Sequence, residues 1–105
     1  MKAKINFRDG KVICDDFNID LTCPLEDQTY ELQEDLLQVK YGNGYVLDLG
    51  WHPELDPKGY FVIHLIKNSN WDEPVYRSEV PFHDLVPELE KAVELVCSLN
   101  EKIRA

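Results

Sequence analysis

Asp48 and His64 are the nearest this sequence comes to a catalytic pair. Each lies inside an alternating apolar run, Tyr45 to Trp51 and Tyr60 to Ile66. If these runs are neighbouring antiparallel strands with Trp51 opposite Phe61, then Asp48 falls opposite His64, with Gln38 beyond it on a third strand. A carboxylate beside an imidazole raises the imidazole pKa and can orient it as a general base. The same pair is also an ordinary polar contact that stabilises a sheet. No activated nucleophile accompanies it: there is no Gly-x-Ser-x-Gly and no catalytic-cysteine signature. The structural role is therefore the expected one.

Other chemistries find less support. His52, Glu54 and Asp56 could gather round an ion, but Pro53 and Pro57 among them point to a rigid surface turn, and no metal or other cofactor is expected. Gly42-Asn43-Gly44 opens a strand rather than a helix, so it lacks the helix dipole of a phosphate-cradling loop. Cys14, Cys23 and Cys97 are odd in number and show no Cys-x-x-Cys spacing, which reads as reduced thiols rather than a disulfide framework or zinc site.

Charge and aromatic placement point to binding instead. Between Lys11 and Lys40 there is no Lys or Arg, yet eight carboxylates lie there: Asp15, Asp16, Asp20, Glu26, Asp27, Glu31, Glu34 and Asp35. Such an interval makes a negative field over part of the surface. Asp15, Asp16, Glu31 and Glu34 are candidate contacts for a basic partner. A second candidate is the polar loop after Ile66, where Trp71 is followed by Asp72 and Glu73, an aromatic anchor ringed by negative charge. Tyr76, Tyr30 and Tyr60 are further aromatics expected at the surface.

These residues must be positioned by a small set of elements. Three apolar runs, Leu36 to Tyr41, Tyr45 to Trp51 and Tyr60 to Ile66, are separated by turn chemistry and predict an antiparallel meander. Parity places Leu37, Val39, Tyr41, Tyr45, Leu47, Leu49, Trp51, Phe61, Ile63 and Leu65 on one buried face if Tyr41 pairs with Tyr45. The other face, with Gln38, Lys40, Val46, Asp48, Gly50, Tyr60, Val62, His64 and Ile66, is mixed and is expected to meet water or a partner. Val75 to Val80 predicts a further strand. Lys2 to Phe7, Asp9-Gly10 and Lys11 to Cys14 predict an N-terminal hairpin. Phe17, Ile19 and Leu21 alternate as a strand would, and Leu25 to Gln33 fits either a short helix or irregular chain. From His83 to about Ile103, Leu85, Leu89, Ala92, Val93, Val96, Leu99 and Ile103 recur at helical spacing. Pro87 is harmless in the first turn of such a helix, and Lys102 and Arg104 complement its negative end. The expected fold is α+β: an antiparallel meander of about four to six strands, covered on one face by the C-terminal amphipathic helix.

The 105 residues fit a single domain spanning 1–105. Hydrophobic content of 44% with 30% charged residues suits a globular protein in the cytoplasm. The N-terminus has no long apolar core, and no run approaches the roughly 20 residues of a membrane span. The net charge of −9 argues against direct nucleic-acid binding and against anionic membranes, and is compatible with a basic partner.

The stretch Tyr41-Gly42-Asn43-Gly44-Tyr45-Val46-Leu47-Asp48-Leu49-Gly50-Trp51-His52-Pro53-Glu54-Leu55-Asp56-Pro57-Lys58-Gly59-Tyr60-Phe61, followed by Asn70-Trp71-Asp72-Glu73-Pro74, resembles small bacterial immunity proteins that partner contact-dependent growth-inhibition toxins. It covers about the middle third of the chain and carries no catalytic motif. The resemblance implies a protein that binds one toxin domain, often a basic nuclease, and blocks it in the cytosol. It assigns no binding residue. An acidic adaptor, regulator or nucleic-acid mimic is the alternative reading, and a small enzyme using Asp48 and His64 the third.

Overall fold

The computed structural model describes residues 5–104. Five strands form one antiparallel sheet in chain order: β1 (Lys11–Asp15), β2 (Leu37–Lys40), β3 (Tyr45–His52), β4 (Tyr60–Lys67) and β5 (Tyr76–Val80). A 3₁₀ turn, Phe82–Asp84, leads into the helix α1 (Leu85–Arg104). The architecture is the expected α+β meander with a C-terminal helix.

The register follows from the turns. Tyr41 N–H donates to Tyr45 O at 2.8 Å, closing the β2–β3 connection through a 3₁₀ turn at Gly42–Gly44. Gly44 has φ +81°, a conformation that L side chains avoid. From this closure Leu37 pairs with Leu49 and Val39 with Leu47, and across β3 and β4 Trp51 pairs with Phe61. The apolar face is buried as parity requires: Leu37, Val39, Leu47, Leu49, Trp51, Phe61, Ile63 and Leu65 all lie in the core. Helix α1 covers it with Leu85, Leu89, Ala92, Val93 and Val96; Cys97 joins this stripe and Leu99 packs at its margin. Ile103, Lys102 and Arg104, expected to extend the helix pattern, have side chains outside the description.

The helix covers only part of the sheet. The His52 end of β3 is covered by the segment after β1, which carries Phe17, Ile19, Leu32 and Leu36 into the same core. Phe17 stacks on Phe61 with ring centroids 6.1 Å apart, and Trp51 meets Phe61 edge-on at 4.8 Å. This segment is neither strand nor α-helix. Two 3₁₀ turns, Leu25–Asp27 and Thr29–Glu31, are its only regular pieces. The alternation of Phe17, Ile19 and Leu21 is thus not that of a strand: Phe17 and Ile19 are buried as loop anchors. The buried Gln28 side chain holds the loop together. Its Nε2 donates to Asp20 O at 2.8 Å and Cys23 O at 3.2 Å, and its Oε1 accepts Asp20 N–H at 2.8 Å. One amide thereby satisfies backbone groups that no ladder reaches.

Two further expectations are corrected. The N-terminal hairpin is absent among the described residues: the chain turns at Arg8-Asp9, but 5–7 is not a strand, and β1 pairs only with β2. Phe7 O is bonded by Gly10 N–H at 3.0 Å and by the Tyr41 hydroxyl at 2.9 Å, and Arg8 has φ +55°, so the chain leaves the sheet there. Lys2, Ala3 and Lys4 lie outside the described residues. The mixed sheet face is also more enclosed than alternation alone implies. Val62 and Ile66 are each only 1% exposed and Asp48 8%. They sit on β3 and β4, which have a paired strand on each side.

Candidate partner-binding site

Meander topology brings three chain segments to one end of the sheet: the exit from β1, the approach to β2 and the β3–β4 turn. Backbone bonds fasten them together. Asp16 N–H donates to Leu36 O at 2.8 Å, Trp51 N–H to Gln33 O at 2.8 Å, and Leu55 N–H to Leu32 O at 2.7 Å. Gly50 makes this possible. A Cβ there would collide with the Glu34 carbonyl, whose carbon lies 2.9 Å from the Cβ position. The glycine thus lets the Glu34 backbone lie against β3.

The product is an open cleft of about 430 Å³ lined by Asp16, Asn18, Tyr30, Glu31, Gln33, Glu34, Asp35 and Glu54. Five of these eight residues are carboxylates, and none of the eight is basic. Tyr30, 69% exposed, provides an aromatic surface beside them. Gln33 Nε2 donates to Tyr30 O at 2.6 Å and fixes the turn on which Tyr30 stands. Such a cleft can accept several charge-assisted hydrogen bonds from Lys or Arg and offer a ring to stack on.

Of the residues expected to contact a partner, the fold brings Asp16, Glu31 and Glu34 together here. Asp15 is not in the lining: its Oδ1 accepts Phe17 N–H at 3.2 Å and shapes the exit from β1. Trp71, Asp72 and Glu73 are exposed, Trp71 by 50%, but lie in the β4–β5 loop. That loop is at the opposite end of β4, about 25 Å away at the usual rise per residue. Six of the seven residues therefore fall into two separate patches, and Asp15 belongs to neither. Asp35, a member of the acidic interval, also lines the cleft. Glu54 and Tyr30 join the cleft through contacts that the linear order does not display. Tyr76, expected at the surface, packs partly against the core.

Asp48 does lie opposite His64, in a row across the sheet reading Cys14, Gln38, Asp48, His64, Arg77. Gln38 Nε2 donates to Asp48 Oδ1 at 3.1 Å, while His64 Nδ1 is 3.7 Å from Asp48 Oδ2, an ion-pair distance if the imidazole is protonated. Burial pushes the Asp48 carboxyl above the ordinary carboxylate range, against the opposing effects of the Gln38 hydrogen bond and His64. Cys14 is three strand spacings from His64, about 14 Å, beyond thiol-to-imidazole proton transfer. Burial and the Asp16 charge also raise the Cys14 pKa. Cys23 borders an apolar concavity of about 390 Å³ with Leu21, Pro24, Leu25, Phe82 and His83. Its thiol donates to Asp20 Oδ2 at 3.3 Å, which raises its pKa and keeps it a poor nucleophile.

Among the described residues no group of three His, Cys, Asp or Glu side chains is arranged to hold a metal ion, and no helix is long and apolar enough to cross a membrane. No family model, curated protein or solved structure matches the chain.

Proposed function

We propose that this protein is an inhibitory binding protein: an immunity protein that neutralises a basic bacterial toxin domain, most simply a nuclease, in the cytoplasm. The observation that supports this reading is the cleft with five carboxylates, no base and an exposed tyrosine. Nuclease sites are basic because their substrates are polyanions. A carboxylate-lined cleft complements such a site in charge and speeds encounter with it. Tyr30 supplies the aromatic contact that charge alone lacks. The resemblance of residues 41–61 and 70–74 to toxin-immunity partners names the biological setting in which such a surface would act.

The experiment is co-expression. A basic nuclease toxin domain selected by its binding to the protein is induced in a sensitive host with and without the protein. Survival with the protein, lost when Glu31, Glu34 and Asp35 are replaced by Gln, Gln and Asn, is the expected result. Equal survival with the neutralised cleft would reject the cleft as the inhibitory surface, and no protection by the unaltered protein would reject the immunity reading.

A further inference from the structure

Among the described residues the sheet ends in two unpaired edge strands, β1 and β5, and they differ. On β1 the register shifts between Val12 and Cys14, and Ile13 is the extra residue of the resulting bulge. A bulge and a nearby lysine, Lys11, are devices that discourage edge pairing. On β5 the pairing with β4 runs unbroken from Tyr76 to Val80. Asn68 N–H donates to Gly44 O, which fixes the alternation: even-numbered residues of β4 bond to β3 and odd-numbered ones to β5. Phe61, Ile63 and Leu65 pair with Val80, Ser78 and Tyr76. The main-chain donors and acceptors of Arg77 and Glu79 therefore point away from the sheet.

We propose that β5 pairs with β5 of a second copy of this chain, antiparallel about a two-fold axis at Ser78, giving a continuous ten-stranded sheet. The sequence Tyr76-Arg77-Ser78-Glu79-Val80 is self-complementary in this register. Arg77 of each copy faces Glu79 of the other, and their outward N–H and C=O groups make four reciprocal hydrogen bonds. Moving the axis to Arg77 or to Glu79 would set like charges opposite one another. Tyr76 then meets Val80 across the axis. Beyond them Val75, exposed and with its N–H already bonded to Leu65 O at 2.9 Å, meets Pro81, which has no N–H. Neither residue leaves an orphan donor at the end of the joint. In one copy Arg77 Nη1 and Glu79 Oε1 are 3.3 Å apart and both side chains are about half exposed, so exchanging partners buries no unpaired charge. The carboxylate cleft is at the β1 side of the sheet, four strand spacings or about 19 Å away, and stays open in the dimer. This inference stands independently of the immunity reading.

The test is sedimentation equilibrium of the full chain from about 1 μM to about 1 mM, a range suited to a small interface. The unaltered protein should pass from monomer to dimer. Arg77→Glu and Glu79→Arg should each weaken association about tenfold or more, because each places like charges opposite one another at both symmetric pairs. The double exchange Arg77→Glu with Glu79→Arg should dimerise again. So should an equimolar mixture of the two single variants, whose edges complement each other. Circular dichroism establishes that every variant is folded. A monomer throughout the range, or a dimer indifferent to all of these exchanges, would overturn the proposal.

Discussion

Gly50→Ala is the substitution that best links the fold to the cleft. A methyl at this position meets the Glu34 carbonyl, with the carbonyl carbon at 2.9 Å and the oxygen closer still. Ordinary van der Waals contact begins at 3.4 Å. The obstacle is backbone, not the end of a flexible side chain, and its neighbours are fastened by Trp51 N–H to Gln33 O and Leu36 N–H to Leu49 O. Relief therefore requires lifting residues 33–36 from β3. Overpacking of this kind costs about 1–3 kcal/mol, and losing one backbone hydrogen bond adds about 1 kcal/mol. At this chain length each kcal/mol lowers Tm by about 4–8 °C, so the combined loss of about 2–4 kcal/mol should lower Tm by roughly 10–30 °C. Thermal unfolding followed by circular dichroism measures it. Glu34 and Asp35 should also lose their fixed place in the cleft, so partner affinity should fall even at a temperature where the variant is folded. A Tm within a few degrees of the parent would refute the close packing of Glu34 on Gly50, and with it the account of how the cleft is shaped.

Leu89→Ala, at the buried centre of the helix stripe, should cost about 2–5 kcal/mol in urea unfolding; an unchanged midpoint would contradict helix-on-sheet packing. Asp48 has its pKa raised by burial, so the folded state holds that proton to higher pH than the unfolded chain does. The stability it contributes is complete below about pH 4 and is lost as pH rises through the raised value. Asp48→Asn should accordingly lose less stability than the parent from about pH 4 to pH 7, and parallel stability curves would contradict that sign. His64→Gln should leave inhibitory activity intact, since no nucleophile adjoins it; loss of activity with fold and partner affinity preserved would establish catalysis. Gln28→Ala removes the amide that bonds Asp20 and Cys23 and should destabilise the segment by about 1–3 kcal/mol, visible as faster hydrogen exchange in residues 17–32 than in β3.

The three central strands and the helix were legible because the face each turns to the core is apolar throughout, and that face recurs at a fixed period in the sequence: two for Tyr45–His52, about 3.6 for Leu85 to Leu99. The opposition of Asp48 and His64 followed from the same register once Trp51 was set against Phe61. Residues 16–36 carry no such period. Their order comes from Phe17, Ile19, Leu32 and Leu36 filling gaps at one end of the sheet and from one buried glutamine, and neither leaves a local pattern. The Asp9-Gly10 signal specified a turn but not the strand expected before it. For the cleft, the charge was legible but the membership was not. Glu54 arrives from a different connection, carried by the Leu55 bond to Leu32 O, while Asp15, adjacent in sequence to Asp16, turns to bond Phe17. Trp71 kept its exposure but belongs to the far end of the molecule.

The central claim is that the carboxylate cleft, not the Trp71 loop, captures a basic partner. It is tested most directly by association and dissociation rates of the toxin domain at low and physiological salt. The proteins compared are the parent, a quadruple variant (Asp16→Asn, Glu31→Gln, Glu34→Gln, Glu54→Gln) and Trp71→Ala. Exposed charges act over about 8 Å at physiological ionic strength. The account predicts an association rate that falls by about tenfold or more as salt rises, a similar loss at low salt in the quadruple variant, and rates close to the parent's for Trp71→Ala. A tight complex insensitive to salt and to the four neutralisations, but lost on Trp71→Ala, would contradict it.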